Sequence, residues 1–201
     1  MRAKIQHHDR VAYVFMGSKR HLLDEIFLDK TKPLYRIAKS VPLGKIPKDK
    51  LGAFIHDRFK SVHMSIAVKE VDRILSITDG HPYYTQQLCH EVYNTAVPHK
   101  HITEKDISAA CESCLKAQSY AYTTIWESLA SKQRNIVIAL AKAPADNVYS
   151  QDFISQFSLG TAAGVQRAMD ALLKKGIVEK ENGHYTLTDV FFIEWIKTKM
   201  G

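Results

Sequence analysis

Two cysteines three residues apart, Cys111-Glu-Ser-Cys114, have the spacing of a redox pair or of half a metal site. A tetrahedral zinc would need two further ligands, and His99 and His101 are the nearest candidates in sequence. The pair lies in a helical pattern with no second cysteine pair, so packing is the favoured reading. A phosphate-gripping loop needs Gly-x4-Gly-Lys-Ser/Thr, because its amides cradle the phosphates and its lysine neutralises them. None of the nine glycines has that spacing. Gly44-Lys45 has no partner glycine and continues Ile-Pro, and Gly160 and Gly164 are followed by Val165-Gln166. Leu22-Leu23-Asp24-Glu25 imitates a magnesium-holding strand end, but its helical context turns the carboxylates to solvent. Neither Gly-x-Ser-x-Gly nor His-Glu-x-x-His occurs. What remains is polar groups at element junctions: Ser18 after an apolar run, and Gly80-His81-Pro82 between two helical patterns. Gly80 frees the backbone for a tight turn, and Pro82 suits a first helical turn.

The elements that must position these residues are mainly helical. Residues 11–16, rich in β-branched and aromatic side chains, read as a fully buried strand of a parallel sheet. Ser18 can cap a helix over 19–27, and a second strand is expected at 37–43. From Pro47 four short amphipathic helices follow. The first carries Leu51, Phe54, Ile55 and Phe59 on one face; the second carries Val68, Val71, Ile74 and Leu75 and stops at Asp79-Gly80. The third starts at His81-Pro82, carries Tyr84, Leu88, Val92 and Tyr93, and ends at Pro98; Thr103 and Asp106 predict a capping box opening the fourth. Beyond them Ser131 and Ser150 are expected to cap two helices, and Val165, Ala168, Met169, Leu172 and Leu173 mark a third, closed by Gly176. Two alternating strands around Asn182-Gly183 then make a hairpin, and Phe191, Phe192, Trp195 and Ile196 line a closing helix. Helix, helix, helix, hairpin is a winged helix.

Totals set the class. The chain has 201 residues, 45% of them hydrophobic, with no apolar run long enough for a membrane span and no secretory leader at Met1. Three cysteines are an odd number and too few for a disulfide framework, so a cytoplasmic protein is expected. The excess of 28 basic over 21 acidic residues, +7, is scattered, which favours a solvated surface over an anionic partner.

Taken in order, Val14-Phe-Met-Gly-Ser18 with Arg20-His21-Leu22, Thr78-Asp-Gly-His-Pro-Tyr-Tyr-Thr-Gln86, and Gly183-His-Tyr-Thr-Leu-Thr-Asp189-Val-Phe-Phe192 with Trp195 resemble the archaeal-type predicted ATPases of the AAA+/STAND superfamily. The resemblance implies a mainly α chain with a small β part. Its pieces would be a remnant of an AAA+ α/β core over 1–45, a four-helix lid over 46–116, and a linker helix with a winged helix over 117–201. It implies a nucleotide site in which Ser18, a sensor at a core strand's end, and Arg20 or Lys19 approach the terminal phosphate. Gly80, His81 and Pro82 would form the Gly-x-Pro turn beside the adenine. Tyr83 and Tyr84 read as lid packing. ATP or ADP with Mg²⁺ is implied as ligand, but Walker A and Walker B are missing from these 201 residues. The chain alone is therefore expected not to turn over ATP, and the missing P-loop domain or a second copy is the expected partner, with no membrane. The alternative is a winged-helix DNA-binding regulator reading DNA with Thr161, Gln166, Arg167 and Lys174. Asp170 between these positions, and Glu179, Lys180 and Glu181 on the wing, make a poor phosphate surface. A protein-contact role for the winged helix is favoured.

Overall fold

The computed structural model describes residues 5, 7, 8, 10–17, 20–41, 46–181 and 183–200, without the side chains of Arg20, His21, Leu22, Asp24 and Met200. The chain divides into two compact units, Met1–Gly44 and Lys45–Gly201. In the first, α1 (Arg20–Leu28) is followed by a turn that Asp29 organises, accepting from the amide and the hydroxyl of Thr31, both at 2.8 Å. Residues 11–17 form no strand, and Val14 and Met16 are 82% and 89% exposed. This corrects the expected buried strand. A β-branched run becomes a strand only where a neighbour takes its backbone hydrogen bonds, and no described residue does so here. Residues 37–41 of the expected second strand also lie outside any strand; 42 and 43 are not among the described residues. Phe15 does find a partner, its ring 5.0 Å from that of Phe27 on α1.

The second unit carries the rest. Its helices are α2 (Lys48–Ser61), α3 (Val68–Ile77), α4 (Pro82–Ala96), α5 (Glu104–Glu127), α6 (Ser131–Lys142), α7 (Gln151–Gln156), α8 (Ala162–Lys174) and α9 (Val190–Met200), with strands β1 (Val178–Glu181) and β2 (His184–Leu187) before α9. Pro47 stands just before the first turn of α2, at its cap position. Leu51, Ile55 and Phe59 face inward as the spacing predicts, while Phe54 and Val68 of the same stripes are 53% and 74% exposed. The fourth helix is not short: α5 runs 24 residues and passes 116 without a break, so the residues on either side of 116 share one rod. Nothing between Thr103 and Ser128 is a glycine or proline, and each added residue gains a backbone bond once the helix is nucleated. Ser131 is the first helical residue of α6, not its cap; Gln133 Oε1 instead accepts from the amide of Ala130 at 3.1 Å.

In the winged helix, Ser150 accepts from Phe153 N–H at 3.3 Å and Thr161 from Gly164 N–H at 3.3 Å, which starts α7 and α8. Gly176, with φ 69°, closes α8 in the left-handed conformation that only glycine takes cheaply. The hairpin pairs Val178 with Leu187 through Glu181 with His184, and Gly183 of the expected Asn182-Gly183 turn has φ 89°, while Asn182 lies outside the described residues. Ala145 adds a bridge to the free side of β2, where it exchanges both backbone bonds with Tyr185, at 2.8 and 3.3 Å. One apolar core runs from Leu51 to Ile196, and Leu88, Ile107, Ile136, Met169, Leu172 and Phe191 are fully buried in it. Each such side chain contributes about 1.5–3 kcal/mol of transfer free energy.

The capping box of α5 gives a direct test. Thr103 N–H donates to Asp106 Oδ2 at 2.8 Å, its hydroxyl donates to the same oxygen at 2.6 Å, and Asp106 N–H donates back to Thr103 Oγ1 at 3.4 Å. Burial works to raise the Asp106 pKa, but the hydrogen bonds from Thr103 and His99 outweigh it and hold the carboxyl below its ordinary value. A depressed folded pKa stabilises above the unfolded value near 3.9, and that stabilisation is lost as pH falls through the folded one. Thr103→Ala is expected to cost about 1 kcal/mol near neutral pH and less below about pH 3, read by urea unfolding at each pH. An equal loss at both pH values would show that Asp106 is not the partner.

Candidate functional site

The turn between α3 and α4 holds the residues with a nucleotide-facing expectation. Asp79 and Gly80 are both left-handed, φ 48° and 64°, and Gly80 N–H donates to Leu75 O at 3.1 Å, closing the last turn of α3. A Cβ at Gly80 would meet nothing within 4 Å, so glycine is needed there for its backbone and not for space. His81 N–H returns to Thr78 O at 2.9 Å. Beneath the turn Thr78 Oγ1 donates to Ile74 O at 2.9 Å and lies 2.8 Å from Thr85 Oγ1, both threonines being buried. These bonds tie the end of α3 to the first turn of α4 from inside. Pro82 occupies the first helical position, where no N–H is needed. His81 and Pro82 are exposed on this braced corner.

A second layer was not legible in the sequence. The His81 ring sits edge-on to Tyr84, centroids 4.9 Å apart, and Tyr84 sits edge-on to the buried Phe191 of α9 at 5.2 Å. Asp189 caps α9, accepting from the amides of Phe191 and Phe192 at 2.9 and 3.0 Å. The same carboxylate lies 3.1 Å from the Tyr122 hydroxyl of α5, which also has Gln118 Oε1 as an acceptor at 2.8 Å, and faces the hydroxyl of Tyr84. Burial first, and the Asp189 charge second, push both phenols well above their ordinary pKa. The corner between α3 and α4 is thus joined to α9, the closing helix of the winged helix, through one carboxylate and one aromatic contact. Asp189 before an apolar helix was a readable cap signal; its tyrosine partners come from other elements and leave no local trace. Tyr84 packs, as expected, while Tyr83 is 62% exposed with its ring edge against Tyr84.

The other sequence candidates are placed as follows. Ser18 and Lys19 lie outside the described residues, as does the side chain of Arg20, the first residue of α1. Glu25 is exposed and paired with Lys32 at 2.9 Å. Gln166, Arg167, Asp170 and Lys174 share the open face of α8, with Thr161 at its cap and Glu179, Lys180 and Glu181 on the wing, all exposed. Gly164, buried on the inward side of α8, lies close to Lys132, whose Nζ would stand 2.7 Å from a Cβ there. Cys111 and Cys114 lie within α5, and burial pushes the Cys114 thiol, like that of Cys89, up to about 12. A thiol held protonated is a poor nucleophile and a poor metal ligand. His99 is engaged with Asp106 at 3.2 Å and His101 with Ser65 Oγ at 2.8 Å. Among the described residues no three His, Cys, Asp or Glu side chains are grouped to hold a metal. No helix among them is long and apolar enough to cross a membrane.

Residues 120–198 match the family model of a probable winged helix domain. A solved structure, the Walker-type ATPase paby2304 of Pyrococcus abyssi, superimposes with a TM-score of 0.61 at 18% identity. The match covers 90% of this chain and 51% of that one, so the chain spans about half the length of that ATPase. No curated protein matches.

Proposed function

We propose that this chain is the lid and winged-helix portion of an AAA+/STAND-type ATP-binding protein, which senses nucleotide at the Gly80-His81-Pro82 corner and does not hydrolyse ATP by itself. One observation carries the reading. An exposed imidazole and an apolar ring stand on a turn braced from beneath by Thr78 and Thr85, and the first turn of α4 is wired through Tyr84 to the cap of α9. A ligand pressing on His81 and Pro82 differently in two states would bias the position of the winged helix. The likeness to part of a Walker-type ATPase supports the same assignment at the level of fold.

The turn fits one edge of a nucleotide and not its phosphates. It offers an imidazole donor and a proline face but no fixed cation, and the sequence contains no amide-lined loop with its lysine. Phosphate and Mg²⁺ contacts would come from a P-loop on another segment or chain, with Ser18 and Arg20 as this chain's own contribution beside it. Turnover needs the transferred phosphoryl positioned and its charge neutralised, which this chain alone does not supply.

The test is a titration with a fluorescent ADP analogue, with the 201-residue chain alone and with a P-loop-bearing fragment added. Binding is expected only in the mixture, and His81→Ala with Pro82→Ala should weaken it about tenfold or more, roughly 1.4 kcal/mol. Absence of binding in the mixture counts against the nucleotide reading. Phosphate released from ATP by the chain alone, above a contaminant control, would refute the inactive assignment. DNA binding is the rival. Arg167 and Lys174 are offset by Asp170, Glu179 and Glu181 on the face DNA would meet, and a flat salt response would dismiss it.

A further inference from the structure

Helices α2 and α4 both pack on α3 and leave an open slot of about 810 Å³ between them. Its floor is the buried Leu51, Ile55 and Phe59 of α2, and its lips carry Phe54, Val62 and Tyr93, which are 53%, 45% and 38% exposed. Large apolar side chains exposed singly are ordinary; three around one slot mark a contact surface. The lining recurs every three to four residues along both walls, which is the relief a third helix would fill. The ionisable groups on its rim are basic: Lys50 and Arg58 on one wall and His90 on the other, with no aspartate or glutamate among the lining residues. Among the described residues neither Lys50 nor Arg58 forms an ion pair, and Arg58 is held with its guanidinium 4.9 Å from the centroid of Phe54.

We propose that this slot docks an amphipathic helix of another polypeptide whose flanks are acidic. Its apolar residues at i, i+3 or i+4 and i+7 would lie on the floor between Phe54 and Tyr93, with aspartate or glutamate on either side facing Lys50, Arg58 and His90. Charge selects the occupant. A basic helix meets like charge at the rim, and a second copy of this chain brings its own net +7. The inference does not rest on the nucleotide reading, since no nucleotide enters its test, although Pro82 and Thr85 of that corner also line one end of the slot.

The experiment uses the whole 201-residue chain and two fluorescein-labelled designed helices of about 14 residues, roughly 21 Å and so the length of α2. Both carry leucine at i, i+3, i+4 and i+7; the other positions are mostly glutamate in one and lysine in the other. Fluorescence anisotropy is expected to show the glutamate helix bound about tenfold or more tightly than the lysine helix at low salt, the preference shrinking as salt rises. Arg58→Glu should remove the preference, and Phe54→Asp should weaken the glutamate helix about tenfold or more. Both positions are exposed, so circular dichroism and melting should be unchanged in either variant. Equal binding of the two helices, no binding of either, or binding indifferent to both variants overturns the proposal. Concentration-dependent self-association abolished by Phe54→Asp would make a second copy the occupant and overturn it as well. Loss of nucleotide binding in the mixture described above, with helix docking intact, would sink the nucleotide reading alone.

Discussion

Phe191→Ala is expected to lower the free energy of unfolding by about 3–5 kcal/mol, the range for deleting a large aromatic from a close-packed interior. Phe191 is fully buried and belongs to α9, yet its ring meets Tyr84 of α4 edge-on at 5.2 Å. The substitution therefore opens a cavity where two parts of the unit meet, and it also removes an aromatic pair worth about 0.5–1.5 kcal/mol beyond its area. A domain of this size has about 5–15 kcal/mol in all, so the variant should sit near its stability limit. Phe191→Leu keeps most of the volume but loses the ring pair, and should cost about 1–2 kcal/mol, clearly less than alanine. Urea unfolding followed by the fluorescence of Trp126 and Trp195 measures both. If alanine cost under about 1.5 kcal/mol, the interior between α4 and α9 would not be packed as described.

What was legible in the sequence obeyed local rules. The Thr103–Asp106 box, the Ser150 cap, Gly176 after α8 and the Asn182-Gly183 hairpin are decided within four residues, and the stripe of Val165, Ala168, Met169 and Leu172 by helical period alone. The winged helix was readable for that reason. Residues 11–16 failed because a strand is a property of two segments: the right side chains were present, and no described partner pairs with them. Phe54 and Val68 failed in the same way, since period says which residues share a face and not what covers it. The fourth helix runs longer than expected because no helix breaker stands near 116. In the candidate site the turn geometry at Asp79-Gly80 followed from residue type. The junction at Asp189 did not, because Tyr84, Tyr122 and Asp189 meet only once α4, α5 and α9 have packed.

That junction carries the second large effect. Asp189→Ala removes the cap of α9, worth about 1 kcal/mol, and takes the carboxylate away from the Tyr84 hydroxyl, at about 1–3 kcal/mol, while the Tyr122 hydroxyl keeps Gln118 Oε1 at 2.8 Å. The expected loss is about 2–4 kcal/mol, against about 1 kcal/mol each for Tyr84→Phe and Tyr122→Phe. Asp189→Asn keeps a carbonyl oxygen for the cap and should fall between wild type and alanine. Because the three side chains share one carboxylate, their effects should not add: Asp189→Ala with Tyr122→Phe should cost at least about 0.5 kcal/mol less than the sum of the single changes. Alkali supplies an independent reading. Both phenols have folded pKa values raised above the unfolded value near 10, so the fold binds more protons than the unfolded chain above that pH. Their stabilisation is complete below about pH 10 and declines as pH rises beyond it, and the decline should flatten when both tyrosines are phenylalanine. Additive losses, together with an alkaline limb that the double phenylalanine variant leaves unchanged, would mean that α9 is capped by Asp189 alone. The corner at His81 would then have no polar route to the winged helix, only the edge of one ring.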